Sequence, residues 1–457
     1  MLLISRDFFD IGMTIPAMTT LPGSLAAGSP CVPGATSDRP KVLVLLSWYL
    51  PGYKSGGPVR SIAGLVEKLG DEFEFRIITD DRDLGEDSRY SGVQPGQWHA
   101  VAKAHVLYVP KANPARILAL VRATPHDVLY LNSFFSRPFS VIPMLAGSAG
   151  LLPDRPIVLA PRGEFSVGAL ALKWRRKHAF VALARHLPAY HRVLWHASTE
   201  YEGEDIRRAF GEVTVLHTAA PLLQTRNGGT RILEVVTAPD LRASDPAAAD
   251  PRQPATAKAA GELRAVFLSR VSRMKNLAGA LRMLRDVKGR VRFDVFGPLE
   301  DRGYWRECED LIAALPPQIE VRYCGPIAHH EVARTLAQYH LFFFPTHGEN
   351  YGHVIVEALR SGCPVLLSDK TPWRDLAGEG AGWDLPLDQP ALFREALQQA
   401  VDMGPGEHRT MSESARAFGQ RRSDDPEVVA QNRKLFQRAL LRGARLAAHG
   451  SPEPCPG

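Results

Sequence analysis

The sequence predicts an α/β protein of two successive Rossmann-like halves that face each other across a cleft. Three observations lead there. Short apolar runs alternate with helical stretches along most of the chain, a segment without periodicity interrupts them near the middle, and glycine-containing loops follow several of the runs. Such alternation is the signature of parallel sheets covered on both faces, whose strands read as continuous apolar runs. With 457 residues, the chain has room for two to three domains, and its 45% hydrophobic and 23% charged residues are those of an ordinary globular protein.

Residues 1–40 carry Arg6, Asp7 and Asp10 ahead of a proline-broken apolar stretch, a poor secretory signal, and are expected to be a disordered leader or an extension upstream of the true start. The first half, 41–225, opens with a strand at Lys41 to Ser47. A glycine loop (Ser55-Gly56-Gly57-Pro58) follows, and then a helix with Ile62, Leu65, Val66 and Leu69 on one face. Further strands are expected at 73–80, 105–110, 126–132 and 156–161. Residues 226–261, which include ASDPAAADPRQPATAKAAG, have the composition of a linker or insertion. The second half, 262–425, restarts the pattern with RAVFLSR, VRFDVFGP, IEVRYCGP, HLFFFPTH and CPVLLS. Between the first two, Leu277, Leu281, Leu284 and Val287 make a helical core stripe. A basic helix and tail, 426–457, closes the chain and is expected to pack back on the first half.

The formal charge of +6 favours an acidic partner. No zinc-finger spacing, aromatic RNA-binding signature or long basic tail accompanies it, so phosphate-bearing substrates or an anionic lipid surface rank ahead of nucleic acid. Five scattered cysteines without a CxxC pair fit a reducing compartment. The longest apolar stretches, 42–50 and 141–153, are too short or too broken to span a bilayer. His99, His105, His329 and His330 show no ligand spacing, and no metal is expected.

The strongest chemical signal is PTHGENYGHVIVEALRSGCPVL at 345–366. Glu349 sits in a loop after a strand and Glu357 two turns into the helix beyond. That is roughly 12 Å along the axis, a spacing one extended ligand can bridge. Gly348 and Gly352 permit close backbone approach, and the N–H groups of Asn350, Tyr351 and Gly352 are expected to open the helix toward an anion such as a diphosphate. Either glutamate alone reads equally well as a solvated acid; the set of flanking residues carries the argument.

This segment resembles the E-x7-E region of glycosyltransferase family 4, matching it position by position except for Thr346 in place of Ser and Tyr351 in place of Phe. Ser269-Arg270 followed by Lys275-Asn276 is similar to the family's Gly-Arg-x4-Lys element, with Ser269 in place of Gly. FGP at 296–298, CGP at 324–326, TPWRDL at 371–376, the glycine loop, Pro161-Arg162-Gly163 and the His196 to Glu200 segment resemble further landmarks. The family's Pro-Asn-Gly turn at the end of the first domain is not found.

The resemblance implies a GT-B fold and retaining transfer of a sugar from a nucleotide-diphosphate donor, UDP- or GDP-linked, without cofactor or metal. It places Arg270 and Lys275 on the diphosphate, with Arg273 as an added phosphate contact. It puts Glu349 on the sugar and its developing positive charge, and Glu357 on the ribose. Gly56, Gly57, Gly297, Pro298, Asn350, Tyr351, Gly352 and Thr371 complete the donor side, and Arg162 and His196 the acceptor side; Glu164, in the PRGEF segment, reads as an acceptor contact or at least equally as a capping or loop residue. It implies as acceptor a glycan or lipid-linked glycan in surface polysaccharide, exopolysaccharide or lipopolysaccharide synthesis on the cytoplasmic side of a membrane. The basic amphipathic stretch Lys173, Arg175, Arg176, Lys177 and Arg185 reads equally as a face for anionic lipid or as a solvated helix. The rival readings are a nucleotide-sugar epimerase of the same fold and a non-catalytic nucleotide-sugar-binding protein.

Overall fold

The computed structural model describes residues 38–110, 112–171, 174–211, 233–243 and 258–449. Most of the expected leader, most of the expected linker, Lys173 and the last eight residues lie outside them.

Among the described residues, eight strands make the first sheet: β1 (Lys41–Leu45), β2 (Glu74–Asp80), β3 (Trp98–Val101), β4 (Ala104–Val109), β5 (Val128–Asn132), β6 (Ile157–Ala160), β7 (Leu194–Ala197) and β8 (Glu234–Thr237). Their order is β3-β4-β2-β1-β5-β6-β7-β8. All pairings are parallel except that of β3 with β4. The second sheet contains β9 (Glu262–Leu268), β10 (Arg290–Phe296), β11 (Ile319–Gly325), β12 (Leu341–Phe344), β13 (Val365–Ser368) and β14 (Gly382–Leu385), in the order β11-β10-β9-β12-β13-β14.

The fully apolar runs became central strands because helices cover both faces: every residue of β5 and of β12 is buried. The stripe of Leu277, Leu281, Leu284 and Val287 is buried as its spacing predicts. Less regular strands escaped the pattern. β3 is a half-exposed edge strand, and β8 pairs with β7 from Leu194↔Glu234 to Ala197↔Thr237. Part of the stretch expected as linker is therefore the outer strand of the first sheet. Only four residues long and partly exposed on every one, β8 lacks the apolar run that marks an interior strand.

The closing helix, Pro426–His449, lies against the first sheet, with Leu435, Phe436 and Ala439 buried in its core. Phe436 packs at 5.4 Å from Phe73 and 5.5 Å from Tyr130, ring centre to ring centre. Arg433 pairs with Glu72, and Arg438 with Glu234. The closing helix thus packs on the first domain.

In each sheet the strand order reverses beside one central strand, β1 with β5 and β9 with β12. Loops leaving the carboxyl ends of strands diverge at such a reversal and open a crevice, the common ligand site of doubly wound sheets. No helix among the described residues is long and apolar enough to cross a membrane.

Candidate active site

A cleft of about 1400 Å³ lies between the two sheets, lined from the first by Gly56, Gly57 and Arg162 and from the second by Arg270, Lys275 and Glu349. The second-domain wall is built by loops after β9 and β12. After β9 the chain passes Ser269-Arg270 and makes a tight turn at Arg273–Lys275. Asn276 then adopts a left-handed conformation, φ 59°, and caps the next helix through its side chain, which accepts from Gly279 N–H. The same side chain donates to the Pro345 carbonyl at 2.8 Å, tying this turn to the loop after β12. His347 N–H and the Thr346 hydroxyl both donate to the Met274 carbonyl, at 2.9 and 3.1 Å. Glu349 N–H donates to the Lys370 carbonyl at 3.0 Å.

These bonds leave the Lys275 Nζ 2.8 Å from Glu349 Oε2, both side chains largely enclosed. Arg270 stands at the more open rim, 3.0 Å from Glu300, and Arg273 pairs with Glu307 at 2.9 Å. Gly297 and Pro298 line the cleft next to them. Gly297 has φ 133°, and a β-carbon there would collide with the Ser269 carbonyl, so the close approach of the β9 and β10 loops demands glycine.

Gly352 has φ 79° and caps the His353–Arg360 helix, so the helix begins at His353 and not at Asn350 as expected. Glu357 consequently lies little more than one turn in. Asn350 approaches the Gly163 backbone of the facing domain. Tyr351 reaches the cleft wall, but its ring packs at 4.8 Å from His353 and 6.0 Å from Trp373, and its carbonyl accepts from the Trp373 indole at 2.7 Å.

Three expected site residues are placed elsewhere. Thr371 is buried and turns inward, accepting from Trp373 N–H while Asp369, Lys370 and Arg374 face the cleft. It shapes the loop that seats Trp373. His196 is sealed in the first domain, accepting at Nδ1 from the Tyr130 hydroxyl (2.6 Å) and donating from Nε2 to the Ala238 carbonyl (2.7 Å). Burial, with Arg162 nearby, holds its pKa down at about 4. A neutral ring with both nitrogens engaged is a strut, not an acceptor contact. Glu357 does not line the cleft: its side chain is 1% exposed and lies behind Arg60 of the first domain, whose Nη1 is 2.7 Å from its Oε1.

Arg162 does reach the cleft, at φ 56°, but it is largely engaged inward. It pairs with Asp240 and donates to the Asn132 amide oxygen (2.8 and 3.0 Å) and to the Tyr130 hydroxyl (2.7 Å). Glu164, also on the cleft wall, accepts from the Ser133 hydroxyl at 2.8 Å and from the N–H groups of Phe134 and Phe135. Burial nevertheless pushes its carboxyl above the usual range.

Sequence reading missed the contacts that join the domains. His353 Nε2 lies 3.0 Å from the Ser61 hydroxyl and 3.9 Å from Asp240 Oδ2. Burial lowers its pKa to about 4 despite Asp240, so the ring is neutral. For Asp240 burial acts upward, but the Arg162 guanidinium paired with it holds the carboxyl below its ordinary value. Glu357 likewise stays low because Arg60, Arg242 and His329 together outweigh burial. The one signal for these residues was a charged or polar side chain on an otherwise apolar helix face: Arg60 beside Val59 and Ile62, and His353 ahead of Ile355 and Val356.

This architecture is the GT-B fold of glycosyltransferases, two doubly wound domains with the cleft between them. Residues 250–418 match the family described as "Glycosyl transferases group 1", so the second half of the chain carries a domain of that kind. No curated protein matches it by sequence. Among solved structures, HepE of Anabaena, determined with UDP and glucose, aligns with 15% identity over 88% of this chain and 99% of its own, TM-score 0.56. Sucrose-phosphate synthase from Thermosynechococcus elongatus gives 13% identity, 88% and 100% coverage and a TM-score of 0.61. WaaG, a glycosyltransferase involved in lipopolysaccharide biosynthesis, gives 14% identity, 86% and 98% coverage and a TM-score of 0.54.

Proposed function

We propose that this chain is a retaining, metal-independent glycosyltransferase that moves a hexosyl or N-acetylhexosaminyl group from a UDP- or GDP-sugar to a glycan or lipid-linked acceptor. The observation that carries the reading is the Lys275 and Glu349 pair, held by backbone bonds at the strand-order reversal of the second sheet. A dianionic diphosphate competes with Glu349 for Lys275 and recruits Arg270 from the rim, neutralising the leaving nucleotide with fixed cations. Glu349, relieved of its lysine, faces the sugar and stabilises positive charge developing at its anomeric carbon. Departure of the diphosphate and attack from the same face preserve the configuration, with the donor phosphate taking the acceptor proton. Gly56, Gly57, Asn350 and Gly352 shape the donor pocket, while Arg162 and Glu164 border the acceptor side.

UDP in the HepE structure supports a uridine donor, and the printed role of WaaG supports a product in surface polysaccharide synthesis. Exposed Trp174, Arg175, Arg176 and Leu183 on one helix near the cleft suit a peripheral contact with anionic lipid at the cytoplasmic face.

Calorimetry against UDP-, GDP-, ADP- and dTDP-sugars with EDTA present tests the donor reading. One nucleotide class should bind the native protein and lose affinity for Lys275→Ala. Equal binding by the mutant, binding that needs metal, or none at all refutes it. NMR of the glycosidic product then reads the anomeric configuration, and inversion would refute the retaining mechanism.

A further inference from the structure

Arg60 belongs to the first domain, in the opening turn of the Gly57–Leu69 helix, directly after the glycine loop. One nitrogen of its guanidinium is spent on Glu357 across the domain boundary, and the side chain keeps 23% exposure and lines the cleft. A guanidinium carries five N–H donors in a rigid fork matched to phosphate oxygens, so fixing one edge on a carboxylate orients the rest. Glu357 is suited to be that anchor. It is fully enclosed, and the groups that act on its charge come from four elements: Arg60 itself, Arg242 at 3.9 Å after β8, His329 at 3.7 Å on the His329–Leu336 helix, and His353 one turn back on its own helix.

The placement of the other cations sharpens the point. Lys275 and Arg270 both come from the second domain, so they approach a diphosphate from one side of the cleft. The facing wall offers Gly56 and Gly57, which have no side chains, and three further cations that already have acidic partners: Arg162 with Asp240, Lys54 with Glu86 and Arg208 with Asp205. Arg60 stands beside that glycine loop with its anchor behind it.

We propose that Arg60 binds the diphosphate of the donor from the first domain, with Glu357 as the positioning residue that aims it. The second glutamate of the motif then acts through an arginine of the opposite domain. The donor becomes a bridge, contacted by Lys275 on one side and Arg60 on the other, and its binding favours the closed arrangement. This rests on the donor reading above.

Titration calorimetry of the full chain with UDP, and with GDP if UDP does not bind, tests it, with uridine or guanosine as the phosphate-free control. Arg60→Gln should weaken the nucleoside diphosphate about tenfold to a hundredfold, the worth of a charge-assisted hydrogen bond or two, and leave the nucleoside unchanged. Arg60→Lys keeps the ion pair with Glu357, and thereby the fold, but loses the fork; it should fall between. Glu357→Gln should weaken the diphosphate less than Arg60→Gln does, and the double variant should lose less than the sum of the two. If Lys275→Ala weakens UDP while both Arg60 variants bind it like the native protein, the inference is overturned and the donor reading stands. Equal loss of diphosphate and nucleoside in Arg60→Gln also overturns it, because Arg60 would then act only on domain packing. If the native protein binds neither diphosphate, the donor reading itself fails and takes this inference with it.

Discussion

The two walls of the cleft use charge in opposite ways. On the second-domain wall, Lys275, Glu349 and Arg270 sit on short loops whose backbones are pinned by hydrogen bonds, and their partners are each other or exposed acids. On the first-domain wall, Arg162, Glu164 and Asp240 are enclosed and satisfied by partners from β5, the loops after β5 and β6, and the segment after β8. A charge held by one exchangeable partner can be given to a ligand, whereas a charge woven into a buried network holds a wall in shape. The difference gives the second domain most of the exchangeable charge and the first domain a fixed wall, with Arg60, held on Glu357, as the first-domain exception.

The largest effect that separates them is on stability. Arg162→Ala leaves Asp240 ionised and unpaired inside the protein and should cost about 3–5 kcal/mol of unfolding free energy, read by denaturant titration. A small cost would mean that the first-domain network opens to solvent and is as exchangeable as the other wall. Next comes Glu349→Gln, which keeps size and packing: transfer should slow roughly a hundredfold to a thousandfold with the melting temperature nearly unchanged. Intact turnover would remove Glu349 from the chemistry.

A pH series probes the buried histidines. His196 and His353 are held at about 4, below their ordinary 6.5, so the unfolded chain binds more protons than the folded one between those values. Their contribution is fully present above pH 6.5 and is lost as pH falls toward 4, about 2 kcal/mol for each by pH 5. Melting temperature should drop across that window and drop less in His353→Gln; an unchanged slope would show that His353 is not enclosed. The smallest effect belongs to the rim, where the exposed pair of Arg270 and Glu300 predicts that Glu300→Gln shifts stability by under about 0.5 kcal/mol. A larger loss would make the rim structural.

The same contrast explains what was legible beforehand. That Glu349, Lys275 and Gly297 meet at one cleft could be read because their placement depends on local order: a strand ends, a glycine lets loops touch, and a cation lies a fixed number of residues on. Thr371 and His196 were misplaced because their segments resemble site loops, while the direction each side chain takes is set by what packs under it, Trp373 in one case and Tyr130 in the other. β8 was missed because four partly exposed residues at a sheet edge carry no pattern of their own.

The sequence by itself determined two parallel sheets, the strands at their centres, and the loops that meet where strand order reverses, since continuous apolar runs and glycine positions act within a few residues. Tertiary structure alone decided that Glu357 lies behind Arg60, 297 residues earlier in the chain, and that His353 meets Ser61 and Asp240. Those contacts exist only when one domain closes on the other. Burial then decides which charges are paid out to a ligand and which stay locked in the wall, a property of the enclosed volume that no stretch of sequence contains.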